Sequence, residues 1–226
     1  MKKFLLIVPV LCMALSVLYS QDAGKFAAGV RVGAQIGFPK TQDDFENEIK
    51  SPENKPLGLE DGVLPNPNIV LFGAYGFTDN IGLQLELNFQ IAQGVSAANG
   101  SDTLKVEKTY STLDVPLLLK INFLPGEHRF GIIGGPYFTT PLGKVKTKFT
   151  GFITSDFSSD IDAPNFGFVA GLFGGFGFPP FGRIVADVRY IQDFGVTKEN
   201  RSDYPGFAIM QRRGIVISLG IEYTFK

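Results

Sequence analysis

Apolar and polar residues alternate along most of this chain, in repeated runs of roughly ten residues each. The clearest run alternates apolar Ile81, Leu83, Leu85, Leu87, Phe89 and Ile91 with polar Gln84, Glu86, Asn88 and Gln90. A period of two gives a β-strand one apolar and one polar face, whereas a helix requires a longer period. The pattern therefore predicts an all-β protein in which every strand separates an apolar environment from a polar one.

Eight runs of this kind follow one another, and the connections between them alternate in length. The runs cover residues 26–38, 69–77, 81–91, 112–123, 129–138, 166–178, 183–193 and 215–225. Short connections fall near 79–80, 124–127 and 179–182, and long ones cover 40–67, 94–108, 141–165 and 195–213. Such alternation is typical of an antiparallel up-and-down β-barrel that crosses a membrane, with tight turns on one side and long loops on the other.

Two details leave the strand count and the strand ends open. Residues 144–157 also alternate in part, so they form either a hairpin that extends above the membrane or a further strand pair, which would make ten strands. Pro116 and Pro136 fall inside predicted strands, although proline has no amide proton for strand pairing, and we expect a β-bulge or a nearby strand end at each. The predicted fold class is an all-β, eight-stranded antiparallel up-and-down transmembrane β-barrel, with ten strands possible.

The charged residues indicate which face of the barrel points inward. If the polar faces line the lumen, five cations and five anions are enclosed there, and this balance suits a narrow space where each charge needs a partner. They are Arg31, Glu86, Asp114, Lys120, Arg129, Arg183, Asp187, Arg189, Asp193 and Glu222. The apolar faces then contact lipid. The reverse facing would describe a periplasmic lipocalin-like barrel that binds an apolar ligand, but the chain has no Trp for the Gly-x-Trp signal of that fold.

The N-terminus has the features of a secretory signal peptide. Lys2 and Lys3 precede an apolar run that ends at Tyr19, and Ser20 is a small residue suited to a cleavage site. We therefore expect residues 1–20 to be a signal peptide and residues 21–226 to form one outer-membrane β-barrel domain. Export of such a barrel predicts the outer membrane of a diderm, Gram-negative-type bacterium as its location.

The final strand resembles the assembly signal of outer-membrane β-barrels. That signal places a polar residue, a glycine and two alternating aromatic residues at the chain end, and Ser218, Gly220, Tyr223 and Phe225 match its spacing. Outer-membrane β-barrels usually end on the last aromatic residue of this signal, whereas Lys226 follows it here. The resemblance implies the barrel assembly machinery as a partner.

A second resemblance comes from the middle of the chain. Residues 110–120, YSTLDVPLLLK, look like the central signature of the PorT-like outer-membrane β-barrel family, and residues 134–138, GGPYF, resemble the glycine-rich strand that follows it. Together with the terminal signal, the resemblance spans most of the mature chain. It implies an outer-membrane location, and it transfers no functional residues.

Composition and motifs argue against several classes of function. The formal net charge is −1, without the basic surplus typical of nucleic-acid binding, and the single histidine, His128, lies beside a short turn, on the periplasmic side. We therefore predict a small, non-enzymatic, porin-like barrel with no cofactor and no metal site, whose partner is outer-membrane lipid. The expected role is envelope structure, surface binding or adhesion, or limited passage of a small solute. The sequence does not identify the extracellular ligand. An outer-membrane lipid-modifying enzyme is a further alternative, after the lipocalin-like barrel.

Overall fold

The computed structural model describes residues 23–37, 59–62, 65–99, 105–124, 128–150, 155–162, 165–178, 182–194, 197–200, 207–209 and 212–225. The strands in this part are β1 (Phe26–Gly37), β2 (Leu59–Gly62), β3 (Pro65–Gly76), β4 (Ile81–Asn99), β5 (Lys105–Leu124), β6 (His128–Thr150), β7 (Ser155–Asp162), β8 (Asn165–Gly177), β9 (Arg183–Asp193), β10 (Thr197–Asn200), β11 (Phe207–Ile209) and β12 (Arg213–Thr224). The predicted signal peptide lies outside the described residues. Among those residues, no helix has the length and apolar character needed to cross a membrane.

Eight of the strands close into a single antiparallel barrel. In spatial order they are β1, β3, β4, β5, β6, β8, β9 and β12, and each pairs with the next. Pairing between β12 and β1 completes the ring, with a register that runs from Ala27–Thr224 to Gly37–Gly214. Closure gives every strand two neighbours, so the backbone amides and carbonyls can be paired without water. The predicted eight-stranded barrel is confirmed.

The two faces of each strand lie in opposite environments. Leu85 of β4 and Leu117 of β5 pair with each other, point outward and are 52% and 44% exposed. Gln84 and Leu118 also pair with each other, but they point into the barrel and are fully buried. Large apolar side chains thus cover the outer surface, where lipid can shield them. The reverse facing that a lipocalin-like barrel requires is not the one that this chain adopts.

The sheet continues beyond the barrel at the long-loop end. There β4, β5 and β6 remain paired, β6 also pairs with β7, and the sheet extends through β10 to β11. On the other side, β2 pairs with the far end of β4. Of the predicted segment 144–157, residues 144–150 and 155–157 belong to the paired strands β6 and β7 that extend the sheet, and residues 151–154 lie outside the described residues. The ten-stranded barrel is wrong. Much of 94–108 and 141–165, which the sequence predicts as loops, is strand.

Outward-facing residues change character along β6, and this change locates the outer membrane boundary. Outward positions from Phe130 to Leu142 are uncharged and, apart from Thr140, have no polar side chain, and they become Lys144, Lys146 and Lys148 directly beyond. Gly143, which has a φ of 83°, lies at the change. At about 3.4 Å per residue and a tilt of roughly 40°, the stretch from Phe130 to Leu142 rises about 30 Å, the thickness of a bilayer core.

The two prolines interrupt strand pairing without changing the register. Pro116 of β5 lies opposite Tyr137 of β6, and the pairing resumes between Leu119 and Gly134 in the same register. Pro136 of β6 lies within the interrupted stretch and keeps its register with β8. Because two residues are skipped on both strands, each side chain stays on its own face. The β-bulges predicted at the prolines are therefore wrong.

Candidate functional site

Four charged side chains cross the middle of the lumen, and we term them the central ion-pair ring. Glu86 of β4 contacts Arg31 of β1 and accepts hydrogen bonds from Arg189 of β9, at 2.7 Å from Nη1 and 3.0 Å from Nη2. Asp187 of β9 completes the ring, 3.0 Å from Arg31 Nη1 and 3.0 Å from Arg189 Nε. All four side chains are 6% exposed or less. Two cations balance two anions, as burial away from water requires.

Three cationic side chains surround one carboxylate near the short-turn end of the lumen. Glu222 of β12 lies 2.6 Å from Arg183 Nη1, 3.4 Å from Lys120 Nζ and 3.5 Å from Arg129 Nη1. Lys120 Nζ also lies 4.7 Å from the centre of the Phe173 ring, within the range of a cation–π interaction. Lys120, Arg129, Arg183 and Glu222 form what we term the inner cluster, in which cations outnumber carboxylates.

A third group, the outer cluster, is centred on Arg212 near the long-loop end. Arg212 Nη1 lies 2.9 Å from Asp114 Oδ1, and Arg212 Nε lies 3.2 Å from Asp193 Oδ2. The Tyr137 hydroxyl donates a hydrogen bond to Asp193, and the Thr139 hydroxyl donates one to Asp114. Within this cluster two carboxylates face one guanidinium. It therefore has the opposite charge excess from the inner cluster.

Arg212 is a charged lumen residue that the sequence analysis misses, because residues 195–213 are predicted as a loop. A signal for it was available in the parity of the last strand. In β12 the inward-facing side chains include Val216, Ser218 and Glu222, all at even-numbered positions. Extending this parity by two residues beyond Gly214 reaches Arg212, which is buried.

One side of the lumen is apolar, which the sequence analysis also misses. The buried cluster there consists of Leu118, Ile133, Tyr137, Val169, Phe173, Ile191 and Val216. Across the lumen, Arg31 places its guanidinium carbon 4.5 Å from the centre of the Phe72 ring. The signal was Val169 and Phe173, which share the glycine-rich parity of β8. Together with the three charged groups, these side chains fill the barrel as a packed core.

The ten charged residues predicted for the lumen all occupy inward-facing positions. Eight are buried, and the other two, Arg129 and Arg183, are partly exposed at the short-turn end. The structure brings them together in the three groups above. Asp114 and Asp193 belong to the outer cluster, where the missing partner Arg212 joins them.

The four residues of the predicted assembly signal lie on two faces of β12. Ser218 is buried and donates a hydrogen bond of 2.8 Å to Asp187. Gly220 faces the lumen, where a Cβ would collide with Arg31 and with the backbone of Val30. Tyr223 and Phe225 face outward, half exposed, with ring centroids 5.3 Å apart. The first pair therefore also has a role in lumen packing.

The charged side chains of the lumen are held in position by ion pairs with one another. Within the described ranges, no group of three or more His, Cys, Asp or Glu residues is arranged to hold a metal ion. His128, at the start of β6, is exposed and stacks on Phe176 with ring centroids 4.4 Å apart. Counting only the side chains named above, the central ring is balanced, the outer cluster has more carboxylates than cations, and the inner cluster has more cations than carboxylates.

A closed eight-stranded barrel with a lipid-facing apolar surface and a charged lumen defines the class of outer-membrane β-barrel proteins. Residues 8–225 match the family described as outer membrane protein beta-barrel domain, and the chain belongs to that family. This membership confirms the predicted class and the outer-membrane location.

Solved structures of outer-membrane proteins are similar to this chain, and the first of the three has the same fold. OprG from Pseudomonas aeruginosa is 17% identical, and the alignment covers 91% of this chain and 98% of OprG with a TM-score of 0.60. AlkL is 17% identical over 92% of this chain and 93% of its own, with a TM-score of 0.42. Ail, the attachment invasion locus protein of Yersinia pestis, is 13% identical over 89% of this chain and 99% of its own, with a TM-score of 0.40. No curated protein gives a significant match.

Proposed function

We propose that this protein is a non-conducting outer-membrane barrel whose function is surface binding. The central ion-pair ring carries the proposal, because its four buried side chains span the lumen between β1, β4 and β9. Opening a path for solutes requires the separation of buried ion pairs, and breaking such a pair by removing one partner costs about 3 to 5 kcal/mol. General porin activity is therefore disfavoured.

The binding surface in this proposal is the sheet beyond the outer membrane boundary. At about 3.3 Å per residue, β6 projects roughly 20 Å from Lys144 to Thr150. The register of β6 and β7 pairs Lys144 with Asp160, Lys146 with Ser158 and Lys148 with Asp156. Lys144, Lys146, Lys148 and Ser158 are exposed there. Exposed polar and cationic side chains on a sheet support recognition of a protein or glycan surface.

The lumen part of the proposal is tested by conductance in planar lipid bilayers. The purified protein should show no discrete channel openings in concentrated potassium chloride. A variant with Arg31, Glu86, Asp187 and Arg189 all changed to Ala removes the ring without leaving an unpaired charge, and it should conduct. Stable openings of the unmodified protein would contradict the proposal.

The surface part is tested by shortening the β6–β7 hairpin. Replacing residues 144–162 with a short Gly-Ser turn should leave the heat-modifiable gel mobility of the barrel intact. Whole cells that display the shortened protein should lose binding to arrays of immobilised glycans and extracellular-matrix proteins. Unchanged binding by cells with the shortened protein would show that the hairpin is not the binding surface.

A second candidate is limited passage of very small solutes. A cavity of about 20 Å³ borders the ring, with Glu86, Asp187 and Arg189 in its lining, and another of about 30 Å³ lies at the short-turn end. Each is large enough for water, since a cavity of about 10 to 15 Å³ on this measure holds one molecule. Brief, small conductance steps in the unmodified protein would favour this candidate.

We further propose that the protein is not an enzyme and that it belongs to the PorT-like branch of its family. The first proposal is supported by the position of His128 at the short-turn end, stacked on Phe176 and remote from the outer boundary at Leu142. The second is supported by the motifs at 110–120 and 134–138, which lie in β5 and β6. These two further proposals concern the barrel, so they leave the proposal of surface binding unchanged.

A further inference from the structure

One wall of the lumen carries buried amide side chains whose oxygens have no hydrogen-bond partner in the part of the chain that the structure describes. All of these residues are 8% exposed or less. Buried polar atoms are normally satisfied by protein groups or by ordered water, so such atoms mark positions for water. The oxygens are Gln35 Oε1 of β1, Asn68 Oδ1 of β3, Gln84 Oε1 and Gln90 Oε1 of β4, and Asn122 Oδ1 of β5.

These side chains follow one another along the barrel. Their strands, β1, β3, β4 and β5, are consecutive neighbours, and Asn68 pairs with Gln90 in register. On β4 the inward positions lead from Gly82, in the lining of the short-turn cavity, to Glu86 and Asn88, in the lining of the cavity beside the ring. Successive inward residues of a strand lie about 6.8 Å apart, and one water with two hydrogen bonds of about 2.8 Å spans most of that distance.

The opposite wall of the lumen is apolar. It is the buried cluster described above, to which β5, β6, β8, β9 and β12 contribute. Three of its members, Val169, Ile191 and Val216, line the same cavity of about 20 Å³ as Asn68. Apolar side chains form no hydrogen bonds with water, so water in this cavity is held from the polar wall alone. One polar and one apolar wall favour a narrow file of water over a wide aqueous channel.

The buried atoms without a partner include donors as well as acceptors, and this identifies their occupant. Gln90 Nε2 and Arg31 Nε have no hydrogen-bond partner among the described groups. A metal cation satisfies only the oxygens and a halide satisfies only the N–H groups, whereas water both donates and accepts. Arg31 belongs to the central ion-pair ring, where Arg31 and Gln84 contact the same oxygen, Glu86 Oε1. The positions for water therefore continue at the ring.

We propose that the lumen carries a single file of water past the central ion-pair ring, and that the barrel passes water but excludes ions. Each of the two cavities, about 20 and 30 Å³, has room for at least one water molecule. At the ring, water exchanges hydrogen bonds with Arg31 Nε and Gln84 Oε1. An ion loses its hydration shell there and meets only charges that are already paired, which is costly. This inference rests on the proposal that the ring stays closed to ions, and it is independent of surface binding.

Osmotic shrinkage of lipid vesicles that contain the folded mature protein tests the inference. After a sudden increase in external sucrose, stopped-flow light scattering should show shrinkage several times faster than in vesicles without protein. The rate should also depend less on temperature, because water then bypasses the lipid. Shrinkage at the rate of protein-free vesicles would overturn the inference.

Two variants remove atoms of the file. Gln90→Leu and Asn68→Leu each delete an oxygen without a partner in the described ranges, so both should fold, which heat-modifiable gel mobility checks. Each should abolish at least half of the protein-dependent increase in rate. Gln192→Leu is the matched control, because Gln192 lies on the outer face and accepts a hydrogen bond of 2.8 Å from the Tyr190 hydroxyl. It should leave the rate unchanged, and equal rates for all three variants would overturn the inference.

Conductance of the same preparation in planar lipid bilayers separates this inference from the proposal on which it rests. Fast shrinkage without channel openings supports both. Slow shrinkage without openings overturns the water path alone. Channel openings overturn both, because the inferred path excludes ions.

Discussion

Changing Glu86 to Gln should be among the most destabilising single substitutions in the lumen. Glu86 is 1% exposed and contacts Arg31 and Arg189, while Gln84 also donates a hydrogen bond to it. The substitution keeps the size and shape of the side chain and removes only its charge. The central ion-pair ring then holds two guanidinium groups and one carboxylate, that of Asp187.

The magnitude follows from the contacts that are lost. Removing one partner from a buried ion pair costs about 3 to 5 kcal/mol, because the other charge remains buried. Asp187 still contacts both arginines, at 3.0 Å each, so we expect the lower end, about 3 kcal/mol. In the double variant Glu86→Gln and Arg189→Gln, one cation and one anion remain. Its loss of unfolding free energy should be smaller than that of Glu86→Gln alone.

Equilibrium unfolding by guanidinium chloride in lipid vesicles measures both values, with circular dichroism as the signal. Gln90→Leu is the matched control, since Gln90 lies on the same strand, is 1% exposed and has two side-chain atoms without a hydrogen-bond partner. That variant should be neutral or slightly stabilising. A loss below about 1 kcal/mol for Glu86→Gln, or additive losses in the double variant, would refute the idea that charge balance holds the ring together.

Three further outcomes are expected. Leu117→Arg should destabilise the barrel by about 2 to 4 kcal/mol, because Leu117 lies near mid-membrane. Leu142→Arg should cost about 0 to 1 kcal/mol, because Leu142 lies at the outer boundary. Equal losses in vesicle unfolding would show that this boundary is misplaced. Mass spectrometry of protein from its native envelope should find a mature chain that begins near Gln21, and a retained Met1 would contradict the predicted signal peptide. His128→Ala should leave any lipase or acyltransferase activity of the protein preparation unchanged, whereas loss of such an activity would show that the protein is an enzyme.

Sequence periodicity could predict the barrel and its facing because each strand lies between two environments of opposite polarity. Leu85 and Gln84 differ in chemistry for that reason, and the structure places one outward and the other in the lumen. The prediction is weaker where polarity stops alternating. Leu118 and Phe173 face inward, yet they are apolar, because a narrow lumen is filled by packing as well as by charge.

Strand ends could not be predicted for a related reason. Beyond Leu142 the outer face meets water instead of lipid, so the alternation of β6 changes its chemistry at Lys144 while the strand continues. The prolines also misled the prediction, because a closed barrel can omit the pairs around Pro116 without shifting its register. Arg212 precedes the last strand by one residue, and its role depends on contacts with Asp114, nearly a hundred residues away.

The last strand provides a test of whether its terminal aromatic residues direct assembly. Tyr223 and Phe225 are each 51% exposed on the outer face, and their ring centroids lie 5.3 Å apart. Changing both to Ser removes apolar surface at the periplasmic interface, which a barrel closed by eight strand pairings should tolerate thermodynamically. The expected effect is kinetic, with failed recognition by the assembly machinery, periplasmic accumulation and proteolysis.

A matched variant separates recognition from the general loss of aromatic residues. Phe166 and Tyr190 are also exposed on the outer face, 61% and 43%, but they lie toward the long-loop end. Changing these two to Ser removes comparable surface and should leave the outer-membrane yield, measured by fractionation, nearly normal. Both double variants should refold equally well into lipid vesicles without any assembly factor. Because the two pairs differ mainly in position along the chain, a low yield specific to Tyr223 and Phe225 would reflect recognition. A normal yield for that pair would mean that they are ordinary strand residues.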